Sequence, residues 1–330
     1  MTTQPLAIYY EHPDWFRALF DELDRRGVPY ARVDAGRHRY DPGEQREYAL
    51  FFNRMSASAY TRGHGNAIFY TRNYLAHLEQ SGTRVVNGSQ AFAIETSKAL
   101  QLSLLGSLGL RHPATRVINH AAEAPAAARD LQFPVIVKPN VGGRGAGIVR
   151  YDATEALATA AERGLIDLGI DQTALVQEYI PARGGHITRV ETLGGKYLYA
   201  INVFPEGENF NLCPAEMCQL EDGVRAVGEM CLADAPKAGL KVEPYKPPPE
   251  VIETVERIAA AGGLDLGGIE YMVDDRDGGL VYYDINALSN FVADAPRLLG
   301  FDPHARLVDF LLEEAERCAT GIGSRSSVAG

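Results

Sequence analysis

The chain has 330 residues, and at about 150 residues per domain this length predicts two or three compact units with ample core. Its net charge of −11 at pH 7 argues against nonspecific binding of DNA or RNA, and no apolar run approaches the length of a membrane span. Because no basic N-terminal segment precedes an apolar stretch either, we expect a cytoplasmic protein with no membrane partner.

The N-terminal part, residues 1–88, predicts a Rossmann-like unit. The apolar stretch Leu6–Tyr10 predicts a first strand, aromatic residues and leucines then recur at helical spacing, and residues 30–33 and 48–52 predict two more strands. Such an alternation predicts a parallel sheet, whose ligands bind beyond the carboxyl ends of its strands. Arg54 leaves the third strand at such an end, so it is a candidate contact for a carboxylate or phosphate, with a surface arginine as the alternative.

A second unit is predicted over residues 89–181. It begins with one helix over 89–105, continues through a glycine-rich hairpin, and closes with a strand over 174–180. Between the hairpin and that strand, residues 152–155 have the pattern of a capping box that opens a helix.

Lys138 and the glycines that follow it are the most informative stretch of the chain. An apolar run over 133–137 delivers Lys138 to a loop whose backbone N–H groups can close on a phosphate. Residues 148–151 predict a strand after the glycines, whereas a P-loop or a dinucleotide-binding turn needs a helix there. A flap over a nucleotide triphosphate therefore fits better, with a glycine-rich surface hairpin as the alternative.

The third unit is predicted over residues 182–318. A hairpin over 187–193 and 197–203 is followed by an irregular segment over 204–248, a helix over 250–261, strands over 269–273 and Leu280–Asn286, and a helix over 304–318. We expect residues 319–330 to form a disordered tail.

The cysteines give no clear metal motif. They form no CxxC pair, although three of them crowd the irregular segment. Zinc prefers tighter ligand spacing and a fourth ligand, so reduced thiols are favoured over a zinc site. The cysteines are Cys213, Cys218, Cys231 and Cys318.

The last two predicted strands carry a second group of functional candidates. Asp284 and Asn286 fall on one face of their strand because side chains alternate, and Glu270 on the preceding strand falls near them. Two carboxylates and an amide oxygen are ligands that Mg²⁺ takes when it also holds phosphates. A carboxylate paired with an arginine is the alternative.

Taken together and in this order, Lys98, Lys138 with its hairpin, the strand that ends at Ile180, and the acidic hairpin resemble the ATP-grasp superfamily. The spacing is most similar to glutathione synthetase, D-alanine–D-alanine ligase and the ribosomal-protein glutamate ligase. The resemblance covers most of the chain and implies an α/β (α+β) fold. A pre-ATP-grasp domain would precede a small lid subdomain (89–181) and a C-terminal subdomain (182–318), and these two would sandwich ATP.

The resemblance also implies roles for individual residues. Lys98 and Lys138 would contact phosphates, and Arg189 would act in catalysis by facing the phosphates or the acceptor. The metal would be Mg²⁺, or Mn²⁺ in its place, bound by Glu270, Asp284 and Asn286. The remaining ATP contacts would come from the hairpin and the adenine segment, namely Gly142, Gly143, Gly145, Gln177, Glu178, Tyr179 and Ile180.

The implied reaction is the ATP-dependent joining of a carboxylic acid to an amine through an acyl phosphate. The substrates would be amino acid-like small molecules or a peptide, with Arg54, Ser289 and Asn290 as candidate contacts. A phosphotransferase and a non-catalytic ATP-binding or regulatory protein are the alternatives. Relatives are often dimers or tetramers, so a homo-oligomer is a form open to this chain.

Three positions depart from the family pattern. Asp284 stands where relatives usually have Glu, and residues 186–188 lack the acidic residue that relatives use for the ribose. The strand that ends at Val203 lacks a phosphate-binding cation, for which Arg189, Lys237 or Lys241 would have to substitute.

Overall fold

The computed structural model describes residues 6–43, 48–143, 145–204 and 241–320. In this part of the chain the strands form three sheets, and each sheet lies within one of the three predicted units. The unit boundaries themselves stay a prediction. The helices of the described ranges include none long and apolar enough to cross a membrane.

The first sheet is parallel, as the alternation of strands and helices predicts. Its strand order is β2-β1-β3-β4. Apolar residues of β1 and β3 are fully buried on both faces, which is typical of parallel strands. The strands are β1 (Leu6–Tyr10), β2 (Tyr30–Asp34), β3 (Leu50–Arg54) and β4 (Arg84–Val86).

Two helices follow strands of this sheet along the chain, and only the first was predicted. Helix α1 (Arg17–Arg25) follows a short 3₁₀ turn and buries leucines and a phenylalanine. Helix α2 (Gly65–Gln80) begins where no regular element is predicted. Its buried face includes Thr71 and Tyr74 beside aliphatic residues, so its apolar period is weak.

The next helical stretch corrects the prediction of one helix over 89–105. The structure has α3 (Ser89–Glu95) and α4 (Lys98–Ser107), separated at Ser97, whose hydroxyl accepts the Leu100 N–H at 3.2 Å and so caps α4. Lys98 is thereby the first residue of α4. Both helices pack against α7 (Pro249–Gly262) in one core with the third sheet.

The second sheet is antiparallel and has the order β5-β8-β6-β7. The predicted glycine hairpin is confirmed, since it joins β6 to β7 with Val135 opposite Tyr151. The capping box is wrong: α6 begins after Ala153, and no side chain caps it. The elements are β5 (Thr115–Ile118), α5 (Ala124–Ala127), β6 (Val135–Pro139), β7 (Val149–Tyr151), α6 (Thr154–Glu162) and β8 (Ala174–Glu178).

The third sheet is antiparallel with the order β11-β10-β9-β12-β13. The segment predicted to be irregular supplies one of its strands, β11. Cys213, Cys218, Cys231 and Lys237 lie outside the described residues. The strands are β9 (Ile187–Leu193), β10 (Lys196–Phe204), β11 (Lys241–Tyr245), β12 (Leu266–Val273) and β13 (Leu280–Asn286).

The chain then returns to the first sheet. Helix α8 (Ala295–Leu299) leads into α9 (Pro303–Ala319), whose buried face packs against α1 and β3 in one core with β10. Helix α9 extends through Ala319, one residue beyond its predicted end at 318, and residues 321–330 lie outside the described part. This shared core fixes the carboxyl end of β3 against the loop that follows β13.

Candidate active site

A cavity at the junction of the three sheets collects most of the predicted site residues. The second sheet (β5–β8, called the lid sheet below after the predicted lid subdomain) contributes Lys138 and the glycine hairpin. Helix α4 contributes Lys98, and the third sheet contributes Arg189 and the acidic hairpin. The predicted residues that line it are Lys98, Lys138, Gly142, Gly143, Gly145, Gln177, Glu178, Tyr179, Ile180, Arg189, Glu270, Asp284, Asn286 and Asn290.

Two lysines lie in the cavity wall in different electrostatic surroundings. Lys98 contacts the Asp284 carboxylate, and this attraction outweighs burial and holds the pKa of Lys98 above its ordinary value. Lys138 is the penultimate residue of β6 and is only 5% exposed. Burial, reinforced by the charge on Lys98, lowers the pKa of Lys138 to about 7. A phosphate group entering the cavity would therefore meet one charged lysine and one that gains a proton easily.

The acidic hairpin places its three polar groups together. Glu270 on β12 pairs directly with Asp284 on β13, and the Asn286 side-chain amide lies 3.1 Å from Asp284 Oδ2 and 3.4 Å from Glu270 Oε1. Although burial disfavours its charged form, Lys98 holds the pKa of Asp284 below its usual range. This carboxylate therefore carries charge in the cavity.

A β-bulge in this hairpin adds a residue that the sequence analysis did not single out. The register shifts between Glu270 and Tyr271, so Tyr283 is an extra residue on β13 and lines the cavity together with Asp284. Its hydroxyl donates to Glu270 Oε2 at 2.7 Å. Strict alternation along a strand would put neighbours 283 and 284 on opposite faces, so only the observed register reveals Tyr283.

Arg189 on β9 is the centre of a buried network. Its guanidinium donates to Glu191 at 2.6 Å, to Glu270 at 2.8 Å and to the Ser289 hydroxyl at 3.0 Å. Burial alone would lower the pKa of Arg189, but the two carboxylates outweigh it and raise it. The end of β10, where relatives have a phosphate-binding cation and this chain has none, thus lies beside the buried, charged Arg189 on the neighbouring strand β9. Lys241, the other described candidate, instead pairs with Glu243 on the exposed edge.

The predicted substrate contacts divide into a lining residue and residues behind it. Asn290 lines the cavity, whereas Arg54 and Ser289 do not and are 3% and 1% exposed. Arg54 donates to the Ser289 carbonyl at 2.6 Å and to Asn290 Oδ1 at 3.0 Å. Arg54 thus holds the wall formed by the loop after β13.

Residues 177–180, which were expected to hold the adenine, line the cavity at the end of β8 and in the turn after it. Gln177 is 2% exposed and donates to the Thr115 hydroxyl at 2.9 Å, and the Tyr179 N–H donates to the Pro134 carbonyl at 3.0 Å. The strand ends at Glu178, two residues earlier than predicted. Among residues 186–188, where relatives are expected to have an acidic residue for the ribose, Ile187 lines the cavity, while Thr188 donates to the Asn202 side chain at 2.8 Å.

Several lining residues were not predicted. Trp15 comes from the first unit, and Glu95 and Gln101 come from α3 and α4. Trp15 is the only tryptophan of the chain and stacks on His12 with ring centroids 4.5 Å apart. None of these lining residues belongs to a local motif, so only the packing of the units against one another brings them to the cavity.

The polar groups fit a hard divalent cation that also binds phosphate. Within the described ranges no group of three or more His, Cys, Asp or Glu side chains is placed to hold a metal ion. Glu270 and Asp284 nevertheless offer neighbouring carboxylate oxygens on two paired strands, and the Asn286 side chain, which directs its amide nitrogen toward both, would have to turn its oxygen toward a metal. Mg²⁺ commonly takes one or two carboxylates and completes its shell with water and substrate phosphates.

Comparison with known proteins identifies the fold. No family model matches the chain. A probable alpha-L-glutamate ligase of Thioalkalivibrio sulfidiphilus (strain HL-EbGR7) is 25% identical over 248 residues, which cover 75% of this chain and 73% of that protein. Another from Pseudomonas putida (strain GB-1) is 29% identical over 131 residues, covering 39% of this chain and 42% of that protein.

Among solved structures, the ATP-grasp ligase PsnB complexed with minimal precursor has a TM-score of 0.65 at 18% identity, covering 94% of this chain and 99% of that chain. D-cycloserine synthetase DcsG has a TM-score of 0.64 at 17% identity, covering 95% and 99%. The chain therefore has the ATP-grasp fold, and the superfamily resemblance predicted from its motifs is confirmed. In sequence it is similar to the probable alpha-L-glutamate ligases.

Proposed function

We propose that this protein is an ATP- and Mg²⁺-dependent carboxylate–amine ligase. The observation that carries the proposal is the arrangement of charge in one cavity. Lys98, Lys138 and Arg189 face the pair Glu270 and Asp284, so the cavity offers cations for phosphates beside oxygen ligands for a metal. The similarity to glutamate ligases and ATP-grasp ligases supports the same class of reaction.

In the proposed complex, ATP lies between the lid sheet and the third sheet. Residues 177–180 hold the adenine, Lys98 and Lys138 contact phosphates, and the glycine hairpin covers them. Glu270, Asp284 and Asn286 hold Mg²⁺, which neutralises phosphate charge when bound. PsnB, a structural neighbour, has been solved with Mg and ADP, which supports this choice of nucleotide and metal.

The first half-reaction joins the carboxylate to phosphate. A carboxylate oxygen of the acid attacks the γ-phosphorus, the bond from that phosphorus to the ADP oxygen breaks, and an acyl phosphate and ADP result. Carboxylate and triphosphate repel each other, so the cationic groups must neutralise charge and fix in-line geometry. Arg189, held by two carboxylates and Ser289, is rigid enough to serve this role.

The second half-reaction forms the amide. The neutral amine attacks the carbonyl carbon and a C–N bond forms. The C–O bond to phosphate breaks, and the nitrogen gives up one proton, which leaves with the phosphate. The glycine hairpin keeps water from the acyl phosphate in the meantime. We place the substrates against Asn290 and the loop after β13, with Arg54 and Ser289 supporting that wall. The acid substrate would be an amino acid-like molecule or a peptide end, since ligases of this fold act on small molecules and on peptides. The protein would work in the cytoplasm, where ATP is available.

A hydroxylamine-trapping screen tests the proposal. The protein is incubated with ATP, Mg²⁺, hydroxylamine and a panel of amino acids and other carboxylic acids, with Lys138→Ala as the blank. A hydroxamate that depends on one acid establishes acyl-phosphate chemistry. A stable phosphorylated product instead of a hydroxamate would indicate a phosphotransferase, and ATP binding with neither product would indicate a non-catalytic protein.

A further inference from the structure

Glu95 is a carboxylate in the cavity wall that the proposed ATP and metal contacts do not use. It is the last residue of α3 and lines the cavity near Lys98 and Gln101. Its Oε2 atom accepts the Leu288 N–H at 3.0 Å, in the loop that follows the metal-binding strand. This contact fixes the carboxylate beside the wall formed by Leu288 and Asn290.

The charge of Glu95 has no ion-pair partner among the residues that the structure describes. The nearby Lys98 directs its ammonium to Asp284 instead. Burial raises the pKa of Glu95, and the negative charge of Asp284 adds to this effect. A half-buried carboxylate without a cation is costly, and a cation that enters the cavity relieves that cost.

The surroundings of Glu95 suit an ammonium group better than a metal ion. In the described part of the chain Glu95 belongs to no cluster of three acidic, histidine or cysteine ligands. Its fixed partners are the backbone N–H groups of Leu288 and Ala287, which cannot ligate a metal but hold the carboxylate in a defined orientation. An ammonium group needs only such an oriented acceptor and further polar neighbours, which Asn290, Ser56 and Ser58 provide in the same cavity.

We propose that Glu95 binds the ammonium group of the amine substrate and so places its nitrogen beside the acyl phosphate, where the ammonium group passes one proton to the Glu95 carboxylate before the neutral amine attacks. The inference rests on the proposed ligase function and narrows the second substrate to a primary amine that is protonated when it binds, such as an amino acid or a peptide amine. Glu95 then belongs to the binding of the amine, whereas Lys98 and Asp284 belong to the binding of nucleotide and metal.

Competition between two small nucleophiles tests this assignment. Hydroxylamine is largely uncharged at mildly alkaline pH and needs no carboxylate to bind, whereas propylammonium carries the charge that Glu95 would recognise. We expect propylammonium to inhibit hydroxamate formation in the native protein, and its half-inhibitory concentration to rise about tenfold or more in Glu95→Gln, as for the loss of one charge-assisted hydrogen bond. Glu95→Asp, which keeps the charge, should retain most of the inhibition.

The controls separate this inference from the proposed function. Glu253→Gln makes the same chemical change on the exposed side of α7 and should leave the inhibition unaltered. Equal inhibition of Glu95→Gln and the native protein, or equal inhibition by uncharged propanol, would overturn the role of Glu95. So would loss of hydroxamate formation in a Glu95→Gln protein that still folds and binds ATP, since that result would assign Glu95 to the first half-reaction.

A binding measurement covers the case in which the native protein forms no hydroxamate and the ligase proposal itself fails. Because Trp15 lines the cavity and is the only tryptophan of the chain, its emission reports directly on ligands there. Propylammonium should change this emission in the native protein at a concentration about tenfold lower than in Glu95→Gln. The same midpoint in both proteins would contradict the inference without reference to turnover.

Discussion

Glu270 on β12 lies directly opposite Asp284 on β13, and the Asn286 amide lies within hydrogen-bond reach of both carboxylates. Two acidic side chains in adjacent positions repel each other unless cations separate them. In this fold the cations come from different elements, because Lys98 from α4 contacts Asp284 and Arg189 from β9 contacts Glu270. The two carboxylates are therefore placed so that one residue from each strand could bind the same divalent cation.

The first prediction concerns Asp284→Asn. Removing the charge but not the shape should lower Mg²⁺-dependent turnover by about 10²–10³-fold, the range seen when one preorganised electrostatic group is lost. ATP affinity should fall less, because Lys138 and the adenine segment remain. Turnover measured against Mg²⁺ concentration checks this, with Glu243→Gln on the exposed edge of the third sheet as the control. Normal turnover in Asp284→Asn would rule out the metal assignment.

A second prediction follows from Tyr283. Its hydroxyl holds Glu270 Oε2 at 2.7 Å, so Tyr283→Phe frees that carboxylate to rotate while the ring still fills the bulge. Losing a hydrogen bond to a charged group costs about 1.5–3 kcal/mol, so we expect the Mg²⁺ concentration for half-maximal activity to rise about tenfold or more.

A readout other than turnover separates metal binding from general damage in Tyr283→Phe. The Mg²⁺ dependence of ADP binding, followed by Trp15 fluorescence, should shift in the same direction as the activity, whereas ADP binding without metal should stay unchanged. Tyr197→Phe, on β10 and outside the cavity lining, is the matched control. An unaltered Mg²⁺ dependence would show that Tyr283 does not position Glu270.

These two residues also show how far the sequence determines the site. Alternation along β13 was enough to predict that Asp284 and Asn286 share a face with Glu270 nearby, because that inference needs only local geometry. The position of Tyr283 in the cavity could not be predicted from the sequence, because a β-bulge depends on how the strand pairs with its neighbour. Trp15, Glu95 and Gln101 were missed for a related reason: they reach the cavity through contacts between units, and no spacing along the chain encodes those contacts.

The fold shows the same division between local and long-range information. The glycine hairpin and the β13 boundaries were predicted correctly, because Lys138, the glycines and the β-branched residues around them act within a few residues of one another. The break between α3 and α4 was missed, although Ser97 before Lys98 is a recognisable N-cap. Helix α2 was missed because Thr71 and Tyr74 lie on its buried face and interrupt the apolar period by which a helix is recognised in a sequence.

The third prediction is a proton uptake that accompanies ATP binding. Burial and the charge on Lys98 lower the pKa of Lys138 to about 7, and bound phosphates should raise it again. Between the two pKa values the free protein has lost the proton and the complex keeps it, so binding takes up a fraction of a proton. ATP affinity should consequently weaken as the pH rises above about 7.

Calorimetry in buffers of different ionisation enthalpy measures this uptake. Lys138→Arg is the informative variant, because an arginine stays protonated in both states and should abolish the uptake while retaining a positive charge at the phosphates. If Lys138→Arg takes up as many protons as the native protein, another group is responsible for the linkage.

The last prediction concerns the hinge of the glycine hairpin. Gly147 has a φ of +74°, and a Cβ there would lie 2.9 Å from Cγ of Pro139, the residue that follows Lys138. Gly147→Ala should therefore lose about 1–2 kcal/mol of stability to the left-handed backbone and also displace the strand that carries Lys138. Gly164 provides a matched control in the same unit, since its φ is +66° and an added Cβ would meet no described atom within 4 Å beyond its chain neighbours.

Both alanine variants should lose about 1–2 kcal/mol because both place a Cβ on a left-handed backbone. Gly147→Ala should lose more than Gly164→Ala because of its contact with Pro139, and only Gly147→Ala should weaken ATP binding as well. Urea unfolding measures the loss of stability, and Trp15 fluorescence titrations with ATP measure the loss of affinity. Equal ATP affinity in Gly147→Ala and Gly164→Ala would mean that the hairpin does not transmit its conformation to Lys138.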